Sequence, residues 1–479
     1  MRDATTCDVA IIGGGIVGCM IARELSRYRL KVVLVEKEAE VGFGTTKTNS
    51  GIIHPGHHTT LDTLKGRLVV KGNQLYDTLQ AELGFGFRRI GELVVARTEE
   101  EVGVLREMEE LAHQKGVPVE MWDQARLRRE EPNLSRELIA ALFAPTAGVI
   151  NPYELAFATI ESAVLNGVEL WVDALVTAID PVDGGLRVTT RDGELTAHTV
   201  VNAAGVFSDR VAAMVGADTF RILPRKGEEY MLDGRLKGLV RRLVFPVPNK
   251  VSKGTLIIPT YDGTIMVGPT AIDTDDRHDV STSPEGARQI FDLVRGLCPS
   301  ISERDTISEF AGLRAASDTG DFIIGRTAVP GFYNAAGIQS PGLTAAPAIA
   351  LYLIQQMGED GLALVEKERW EPQVEHPVRF AQRSVEEQRA LVEADPAHGR
   401  VVCRCELVTE AEVRAAIAHG ARTVDGVKFR TRTGMGRCQG GFCTTRVMEL
   451  LQEELDIPFH SLTKRGGGSW MVTPMGEEA

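Results

Sequence analysis

Four cysteines near the carboxyl end have a spacing suited to metal binding. One residue separates Cys403 from Cys405, and four residues separate Cys438 from Cys443. Four thiolates in two close pairs can hold a [2Fe–2S] cluster or a zinc ion. Paired zinc ligands more often have two residues between them, so this spacing favours the cluster, with zinc and free thiols as the alternatives. The glycines between Cys438 and Cys443 would turn backbone N–H groups toward the bridging sulfides.

A glycine motif near the amino terminus has the pattern of a phosphate-binding turn. It reads GxGxxG at residues 13–18, after an apolar run at residues 9–12 and before a helix-like run. Such glycines allow a tight turn, close backbone approach to a pyrophosphate and close packing of a helix on a strand. Glu36, after a second apolar run, would accept hydrogen bonds from the ribose hydroxyls. An acid there predicts FAD or NAD rather than NADP, and a glycine-rich turn without a ligand is the alternative.

Length and composition limit the classes of function. At 479 residues the chain predicts two or three domains, and no run is long and apolar enough to cross a bilayer. A net charge of −13 argues against nucleic acid as a partner, so an anionic substrate needs a local basic pocket. The glycine motif argues against a signal peptide, and the clustered cysteines indicate metal rather than disulfides. We therefore expect a cytoplasmic protein, with peripheral association at the inner face of the membrane arising through a partner.

The apolar patterns predict a fold made of separated pieces. Buried strands that run into small residues return near residues 199–205 and 331–344, while proline-broken strands at 221–267 favour an antiparallel sheet. We expect an α/β and α+β fold in which a Rossmann-like cofactor domain is interleaved with an antiparallel-sheet substrate domain. The cofactor pieces are predicted at about 1–85, 145–220 and 310–366, and the substrate pieces at about 86–144 and 221–309.

Beyond this core, three shorter parts are predicted. A charged, proline-bearing segment at 367–400 is typical of a linker. It would lead to a small helical cysteine domain at 401–460 and then to a tail at 461–479. Cys7, Cys19 and Cys298 are isolated, and we expect each to be a small buried apolar residue.

Taken together, these pieces resemble FAD-dependent glycerol-3-phosphate dehydrogenases and oxidases. The related L-2-hydroxyglutarate oxidases of the D-amino-acid-oxidase-like superfamily are similar too. The resemblance covers about residues 7–365, and its motifs are the Gly13–Gly18 turn with Glu36 and the residues 49–56, 310–314 and 337–344. Residues 401 to about 455 are similar to the [2Fe–2S] domain named after bacterioferritin-associated ferredoxin, which is also appended to the catalytic subunit of anaerobic glycerol-3-phosphate dehydrogenase.

The resemblance implies FAD bound to a GR2-type domain and a [2Fe–2S] cluster bound by Cys403, Cys405, Cys438 and Cys443. With the glycine motif, it predicts many contacts with FAD. These are Gly13, Gly14, Gly15, Ile16, Val17, Gly18, Glu36, Lys37, Thr45, Thr46, Asn49, Ser50, Gly51, Val176, Ala203, Ala204, Gly205, Gly337, Ile338, Ser340, Pro341, Gly342, Leu343 and Thr344.

The reaction implied is oxidation of a secondary alcohol, glycerol 3-phosphate to dihydroxyacetone phosphate, by hydride transfer to flavin N5. The substrate hydroxyl must also lose a proton, so a base has to lie within hydrogen-bond reach. Imidazole suits this because it titrates near neutrality. We expect His54 to be the base, and a contact to flavin or backbone alone is the alternative. His57 and His58 are expected at the rim of the site.

Arg314 and Lys253 are the candidates for anion binding and count with His54 as catalytic residues. Arg314 lies in a small, apolar segment where an unpaired charge is costly, and its guanidinium matches phosphate or carboxylate. A structural ion pair is the alternative. Lys253 resembles the lysine that glycerol-3-phosphate oxidases present to substrate, which favours a phosphorylated substrate; a surface charge is the alternative. Ser50 and Ser340 are predicted to contact the substrate through their hydroxyls.

A cluster beside a flavin implies that electrons leave one at a time to a partner subunit, quinone or carrier. The enzyme would then be a dehydrogenase rather than mainly an oxidase. The alternative functions are an L-2-hydroxyglutarate or other 2-hydroxyacid dehydrogenase, a more distant amino-acid oxidase, and a flavin-binding scaffold with a zinc-binding cysteine domain and no turnover. The basic residues near the cluster would offset its charge or lie in solvent; they are Lys428, Arg430, Arg432 and Arg437.

Overall fold

The computed structural model describes residues 5–248, 254–375 and 378–473. Its α-helices are α1 (Ile16–Leu25), α2 (Leu64–Leu83), α3 (Glu99–Gln114), α4 (Gln124–Glu130), α5 (Pro152–Leu165), α6 (Ser208–Ala213), α7 (Pro284–Leu297), α8 (Gly342–Glu359), α9 (Val385–Ala394), α10 (Glu410–Ala418), α11 (Val424–Thr431) and α12 (Thr444–Leu455).

The strands of the described residues are β1 (Thr5–Ile12), β2 (Val32–Val35), β3 (Ile52–Ile53), β4 (Phe87–Arg89), β5 (Glu92–Ala96), β6 (Glu120–Asp123), β7 (Ala140–Ala144), β8 (Gly148–Ile150), β9 (Glu169–Trp171), β10 (Val176–Val182), β11 (Gly185–Thr190), β12 (Glu194–Asn202), β13 (Ile222–Leu232), β14 (Leu243–Pro246), β15 (Leu256–Pro259), β16 (Ile265–Gly268), β17 (Ile272–Asp273), β18 (Thr306–Ser317), β19 (Ile323–Arg326), β20 (Phe332–Ala336), β21 (Val401–Cys403) and β22 (Val408–Thr409).

The first large sheet joins three distant parts of the chain. Strands β9, β2, β1, β12 and β20 lie side by side and run parallel. In its register, Asn202 at the end of β12 lies opposite both Ile12 and Asn334. Strands β10, β11 and β19 are antiparallel additions at the edges. The predicted assembly of a nucleotide-binding fold from separated pieces is therefore confirmed.

Helices α1, α2, α5 and α8 pack together over one face of this sheet. Helix α1 contacts α5 and α8, and α2 contacts α8. A Cβ at Gly72 in α2 would lie 2.1 Å from the Thr344 carbonyl oxygen, so only glycine allows this approach. Helix α2 thereby fixes the start of α8. Cys7 and Cys19 are buried around this sheet, as predicted.

The second large sheet has the strand order β17-β13-β16-β15-β14-β5-β7-β6, with β18 paired along β13. Its neighbours are antiparallel except for β14 and β5, which run parallel. The predicted antiparallel character of this part is thus confirmed. Glu92 opens β5, while Glu229 and Arg314 lie on the neighbouring strands β13 and β18. This sheet therefore positions the charged residues that are described below.

A small sheet connects the two parts. Strand β8 pairs with β3 and β4, and Ile53 lies opposite Gly148. Because His54 follows β3 directly, this pairing sets where the histidine-bearing loop begins.

The carboxyl-terminal part has a core of its own. Helices α10, α11 and α12 pack with the β21–β22 hairpin around Val413, Val427 and Leu451, as expected for a small helical domain. The segment at 367–400 is more structured than the predicted linker, since it contains α9, capped by Ser384 and Glu387. The exact domain boundaries stay predictions. In the described residues, no helix combines the length and hydropathy needed to span a bilayer.

Candidate active site and cysteine centre

The turn between β1 and α1 is built for close backbone approach. Gly13 has a φ of +108°, and a Cβ there would lie 2.4 Å from the Ala203 carbonyl oxygen. The Gly14 N–H donates to Oε2 of Glu36 at 2.6 Å, and Oε1 of Glu36 accepts from the Glu38 N–H at 2.9 Å. Burial raises the pKa of Glu36. The acid is thus held at the end of β2, where the motif predicts a ribose contact.

Two helix N-termini lie in this region, and neither is capped by the side chain of its own N-cap residue. Gly15 caps α1 and Pro341 caps α8, and neither makes a side-chain cap hydrogen bond. The first turn of each helix also lacks an acidic residue. Oγ1 of Thr46 accepts from the Ile16 N–H at 2.9 Å, so the loop after β2 lies over the start of α1. These features fit FAD, because anionic phosphates bind where helix N–H groups and dipoles converge.

His54 lies between two of the predicted segments. Its N–H donates to Oγ1 of Thr344 at 2.9 Å, and its carbonyl oxygen accepts from Asn73 at 2.9 Å. Its Nε2 is 3.5 Å from Oγ of Ser340, and the side chain is 11% exposed. The structure therefore brings His54 and Ser340 together, as the sequence predicts, with a small solvent-accessible edge on the imidazole.

Glu92 faces three imidazoles, and sequence analysis missed it. Oε1 lies 2.8 Å from Nε2 of His58 and 3.2 Å from Nε2 of His57, and Oε2 lies 3.9 Å from Nδ1 of His54. The prediction that His57 and His58 lie at the rim is wrong, because His57 is completely buried and the His58 side chain is 5% exposed. An acid opening an apolar strand was the available signal for Glu92.

A second buried acid lies near the predicted anion site. Oγ of Ser50 donates to Oε1 of Glu229. Burial raises the pKa of Glu229 to about 7, against the opposing effects of the Ser50 hydrogen bond and the Arg314 charge. The predicted substrate contacts Ser50 and Arg314 thus both act on a carboxyl group that the sequence did not single out.

Arg314 is partly buried beside β13. Its Nη1 and Nη2 atoms donate to the Thr270 carbonyl oxygen at 3.2 and 3.3 Å. A guanidinium has five N–H donors, so these two bonds leave donors for an anion. Desolvation lowers the pKa of Arg314, and the charge of Glu229 opposes that shift. Lys253, the other predicted anion ligand, lies outside the described residues.

The four clustered cysteines converge at one edge of the small domain. Sγ of Cys405 lies 3.6 Å from Sγ of Cys438, while Cys403 and Cys443 are buried in the domain core. A hydrogen bond from Cys405 lowers the pKa of Cys438, and N–H groups of the intervening loop add to this effect. Thiols from two segments, with one close Sγ–Sγ pair and backbone donors beside Cys438, fit the predicted cluster.

The ligand loops also contact the rest of the protein. Nε of Arg432 lies 2.8 Å from the Glu406 carboxylate, and Nη1 pairs with Asp262 of the second sheet. The Tyr153 hydroxyl lies 3.8 Å from Sδ of Met435. Arg430, in turn, binds Glu40 at 2.7 Å. Arg430 and Arg432 thus form ion pairs that connect the small domain to the two sheet-bearing parts of the protein. They are therefore not simply solvated residues or counter-charges of the cluster.

Comparison with known proteins agrees with this arrangement. Residues 8–356 match the family described as FAD dependent oxidoreductase, and residues 401–453 match the BFD-like [2Fe-2S] binding domain. A glycerol 3-phosphate dehydrogenase of Caloramator mitchellensis is 42% identical over 470 residues, which cover 97% of this chain and 98% of that protein.

Two Mycoplasma proteins are similar over a smaller share of the chain. A glycerol 3-phosphate oxidase of Mycoplasma genitalium is 31% identical and covers 77% of this chain with 98% of its own length. The structure of L-alpha-glycerophosphate oxidase from Mycoplasma pneumoniae with FAD bound has a TM-score of 0.74 and 29% identity, and it covers 79% of this chain and 100% of that one.

Proposed function

Because this chain belongs to the FAD dependent oxidoreductase family, we propose that it is a dehydrogenase that oxidises glycerol 3-phosphate to dihydroxyacetone phosphate. The observation that carries the proposal is the 42% identity to a glycerol 3-phosphate dehydrogenase over 97% of the chain. A match of that length includes the cysteine domain. The oxidase of Mycoplasma genitalium matches 77% of this chain with 98% of its own length. That oxidase is therefore too short to match both the FAD-binding part and the whole cysteine domain.

FAD would be held by the turn after β1, by Glu36 and by the start of α8. Glycine backbone at residues 13–15 and the two helix N-termini would receive the pyrophosphate, and Glu36 would receive the ribose hydroxyls. Bound FAD supplies the acceptor for the substrate hydride. The chain itself supplies a proton acceptor in His54 and a positive charge in Arg314.

His54 would take the proton of the substrate hydroxyl at its Nε2. This atom faces Ser340, in a loop of the predicted flavin-binding segment, while Nδ1 faces Glu92. Both backbone groups of His54 are hydrogen-bonded, to Thr344 and Asn73, which holds its main chain, and its ring packs beside Phe245. A fixed, nearly buried imidazole with one nitrogen toward the substrate is suited to general base catalysis.

Arg314 would bind the substrate phosphate, with the hydroxyl of Ser50 nearby and Lys253 as a further cation. The guanidinium pairs with planar arrays of anionic oxygens, which makes it suited to phosphate and carboxylate alike. Glu229 beside Ser50 would stay neutral below its pKa of about 7, which leaves the positive charge of Arg314 for the substrate.

The cysteine domain would pass electrons to an acidic one-electron carrier. A [2Fe–2S] cluster on its four cysteines supplies one-electron transfer. Beside these cysteines, Phe442 is 88% exposed, Arg437 has an 84% exposed side chain, and Arg404 is exposed. Exposed aromatic and arginine side chains are enriched at protein interfaces, and the arginines would attract negative charge to a chain of net charge −13. We place this exchange in the cytoplasm, or at its membrane face when the carrier is bound there.

Anaerobic flavin reduction tests the proposed substrate. Purified, FAD-loaded protein is mixed without oxygen with glycerol 3-phosphate, L-2-hydroxyglutarate or glycine, and the loss of flavin absorbance is followed. We expect bleaching by glycerol 3-phosphate alone. Bleaching by L-2-hydroxyglutarate but not by glycerol 3-phosphate would make the chain a hydroxyacid dehydrogenase instead. No bleaching by any of the three would contradict the enzymatic function.

A further inference from the structure

Glu92 is a completely buried carboxylate whose two oxygens face different histidines. Its Oε1 lies 2.8 Å from Nε2 of His58 and 3.2 Å from Nε2 of His57. Its Oε2 lies 3.9 Å from Nδ1 of His54. A carboxylate buried in an apolar sheet is costly unless charged or polar partners compensate it. The three imidazoles provide that compensation, so the four side chains form one electrostatic unit.

Within this unit His54 occupies a distinct position. Its Nε2 lies 3.5 Å from Oγ of Ser340, on the side of the predicted flavin loop. Its Nδ1 points the opposite way, toward Glu92. Neutral imidazole has one N–H and one bare nitrogen, and the partner of one nitrogen decides which form is present. At 3.9 Å the Glu92 carboxylate acts on Nδ1 through its charge, which favours the proton on Nδ1 and so leaves Nε2 as the nitrogen that can receive a proton.

An aromatic and a cationic side chain also pack around this unit. Phe245 of β14 lies against His54 and His58, with ring centroids 6.1 and 5.5 Å away. Lys115, directly after α3, donates to the carbonyl oxygens of Gly56 and Thr59 at 2.5 and 2.7 Å, which holds the histidine loop against the end of that helix. Among the described residues, the charged and titratable groups around His54 thus include Glu92, His57, His58 and, behind the loop, the Lys115 ammonium.

This inference rests on the proposed role of His54 as the base. We propose that Glu92 is a positioning residue, which orients His54 with Nε2 toward the substrate and balances the charge that His54 gains. When the substrate O–H bond breaks, the proton forms an N–H bond at Nε2, and the C–H hydrogen leaves with its electron pair to the oxidised FAD. The resulting imidazolium then lies beside a carboxylate that His57 and His58 hold in place.

The test compares E92Q with the wild-type enzyme. Glutamine keeps the size and one acceptor oxygen of Glu92 but removes its charge. The rate of anaerobic flavin reduction by saturating glycerol 3-phosphate is measured from pH 5.5 to 9, together with FAD content and substrate affinity. We expect the limiting rate to fall about 10- to 100-fold, since a general base contributes roughly 100- to 10,000-fold in all. Substrate affinity should change by less than about threefold, since Glu92 does not contact the substrate.

The pH profile separates a charge effect from a packing effect. Without the neighbouring negative charge, protonated His54 is less favoured, so the acid limb of the rate profile should move to lower pH in E92Q. E92D keeps the charge but sets it farther from His54, because aspartate is one methylene shorter. Its acid limb should stay near the wild-type position although its rate is lower. An exposed control on α3, E100Q, should match the wild type in both rate and profile. An E92Q enzyme with the wild-type limb and a rate within twofold would overturn the proposal.

Two further comparisons keep the proposal falsifiable. If E92Q does not retain FAD, the variants H58Q and H58L are compared instead. H58Q keeps a donor to Oε1 of Glu92 and H58L removes it, so only H58L should move the acid limb of the rate profile. Equal behaviour of the two variants would overturn the proposal. The substrate assignment is tested separately by the wild-type enzyme. Should only another hydroxy acid reduce its flavin, the Glu92 comparison is made with that acid, and reduction by none of them overturns both proposals.

Discussion

The guanidinium of Arg314 lies over Gly227, and the missing side chain of that glycine provides the space it occupies. A Cβ at residue 227 would lie 2.7 Å from Nη2 and 3.1 Å from Cζ of Arg314. Gly227 and Arg314 sit on the paired strands β13 and β18, two positions apart in register. The strand pairing thus sets aside room for a charged group rather than for an apolar side chain.

Gly227→Ala should weaken substrate binding by moving Arg314. Loss of a charge-assisted hydrogen bond costs about 1.5–3 kcal/mol, which is a roughly 10- to 100-fold rise in the dissociation constant. Titration of the flavin spectrum with glycerol 3-phosphate under anaerobic conditions measures it. Gly234→Ala is a matched control, since a Cβ at residue 234 meets nothing within 4 Å. Unchanged affinity in Gly227→Ala would count against Arg314 as the anion ligand.

His54→Gln should keep its FAD and lose about 100- to 10,000-fold in the rate of flavin reduction, because the general base is removed. The side chain is not needed for the backbone hydrogen bonds to Thr344 and Asn73, so the loop should persist. Stopped-flow absorbance measures the rate, and bound FAD is quantified after denaturation. The exposed His460→Gln serves as the control. A rate within threefold of wild type would remove His54 from this role.

Glu229 should make stability depend on pH. Burial raises its folded-state pKa from 4.5 to about 7, so between these values the folded protein binds a proton that the unfolded chain has released. Its contribution is fully present below about pH 4.5 and is lost as the pH rises through 7. Relative to Glu229→Gln, the wild-type free energy of unfolding should fall by about 3 kcal/mol from pH 5 to 8. Urea unfolding of both proteins measures it, and parallel pH curves would contradict the shift.

Cys438→Ser should abolish the cluster and leave the flavin. The purified variant should lose iron, acid-labile sulfide and the broad visible absorption beyond the flavin bands, because one of four thiolate ligands is gone. Its FAD content should match wild type. Cys298→Ser is the control, since Cys298 is buried near α7, away from the small domain. Stoichiometric zinc in place of iron in the wild-type protein would favour the scaffold alternative.

Arg404→Glu and Phe442→Ser should slow electron transfer to a protein acceptor without changing flavin reduction by substrate. Both side chains are exposed beside the cysteines, so their loss affects docking rather than folding. Turnover with an acidic ferredoxin or flavodoxin is expected to fall about tenfold in Arg404→Glu and to lose its salt dependence. Thr445→Ser, at another exposed site of the same domain, should behave as wild type. Equal turnover at all ionic strengths would exclude this face as the docking surface.

Local patterns in the sequence were sufficient to predict the cofactor turn and the cysteine centre. The residues of the turn lie close along the chain, and the Gly14–Glu36 hydrogen bond spans only 22 positions. Such features follow from short-range geometry that glycine and an acid impose. The alternation of apolar runs likewise predicted which parts form the parallel and the antiparallel sheet.

The pairing of the site's acids could not be predicted because their partners are remote in the sequence. Ser50 and Glu229 are 179 positions apart, and His58 and Glu92 are 34 apart. The segment of His57 and His58 is polar, yet both side chains are buried, because the charge of Glu92 compensates the loss of their contact with water. Only the register of the two sheets brings such charges into contact, and no local pattern specifies that register.

The order of strands in the first sheet also governs when this protein can fold during synthesis. Strand β1 ends at residue 12, its neighbour β12 begins at residue 194, and β20 begins at residue 332. In a nascent chain β1 can therefore pair early with β2 at one edge, while its other edge stays open until β12 is made, a state prone to aggregation. Translation must pass the start of α8 before His54 meets Thr344 and Ser340. A chain that stops before residue 332 lacks β20, α8, Ser340 and Thr344, so it cannot form the contacts that His54 makes with these last two residues.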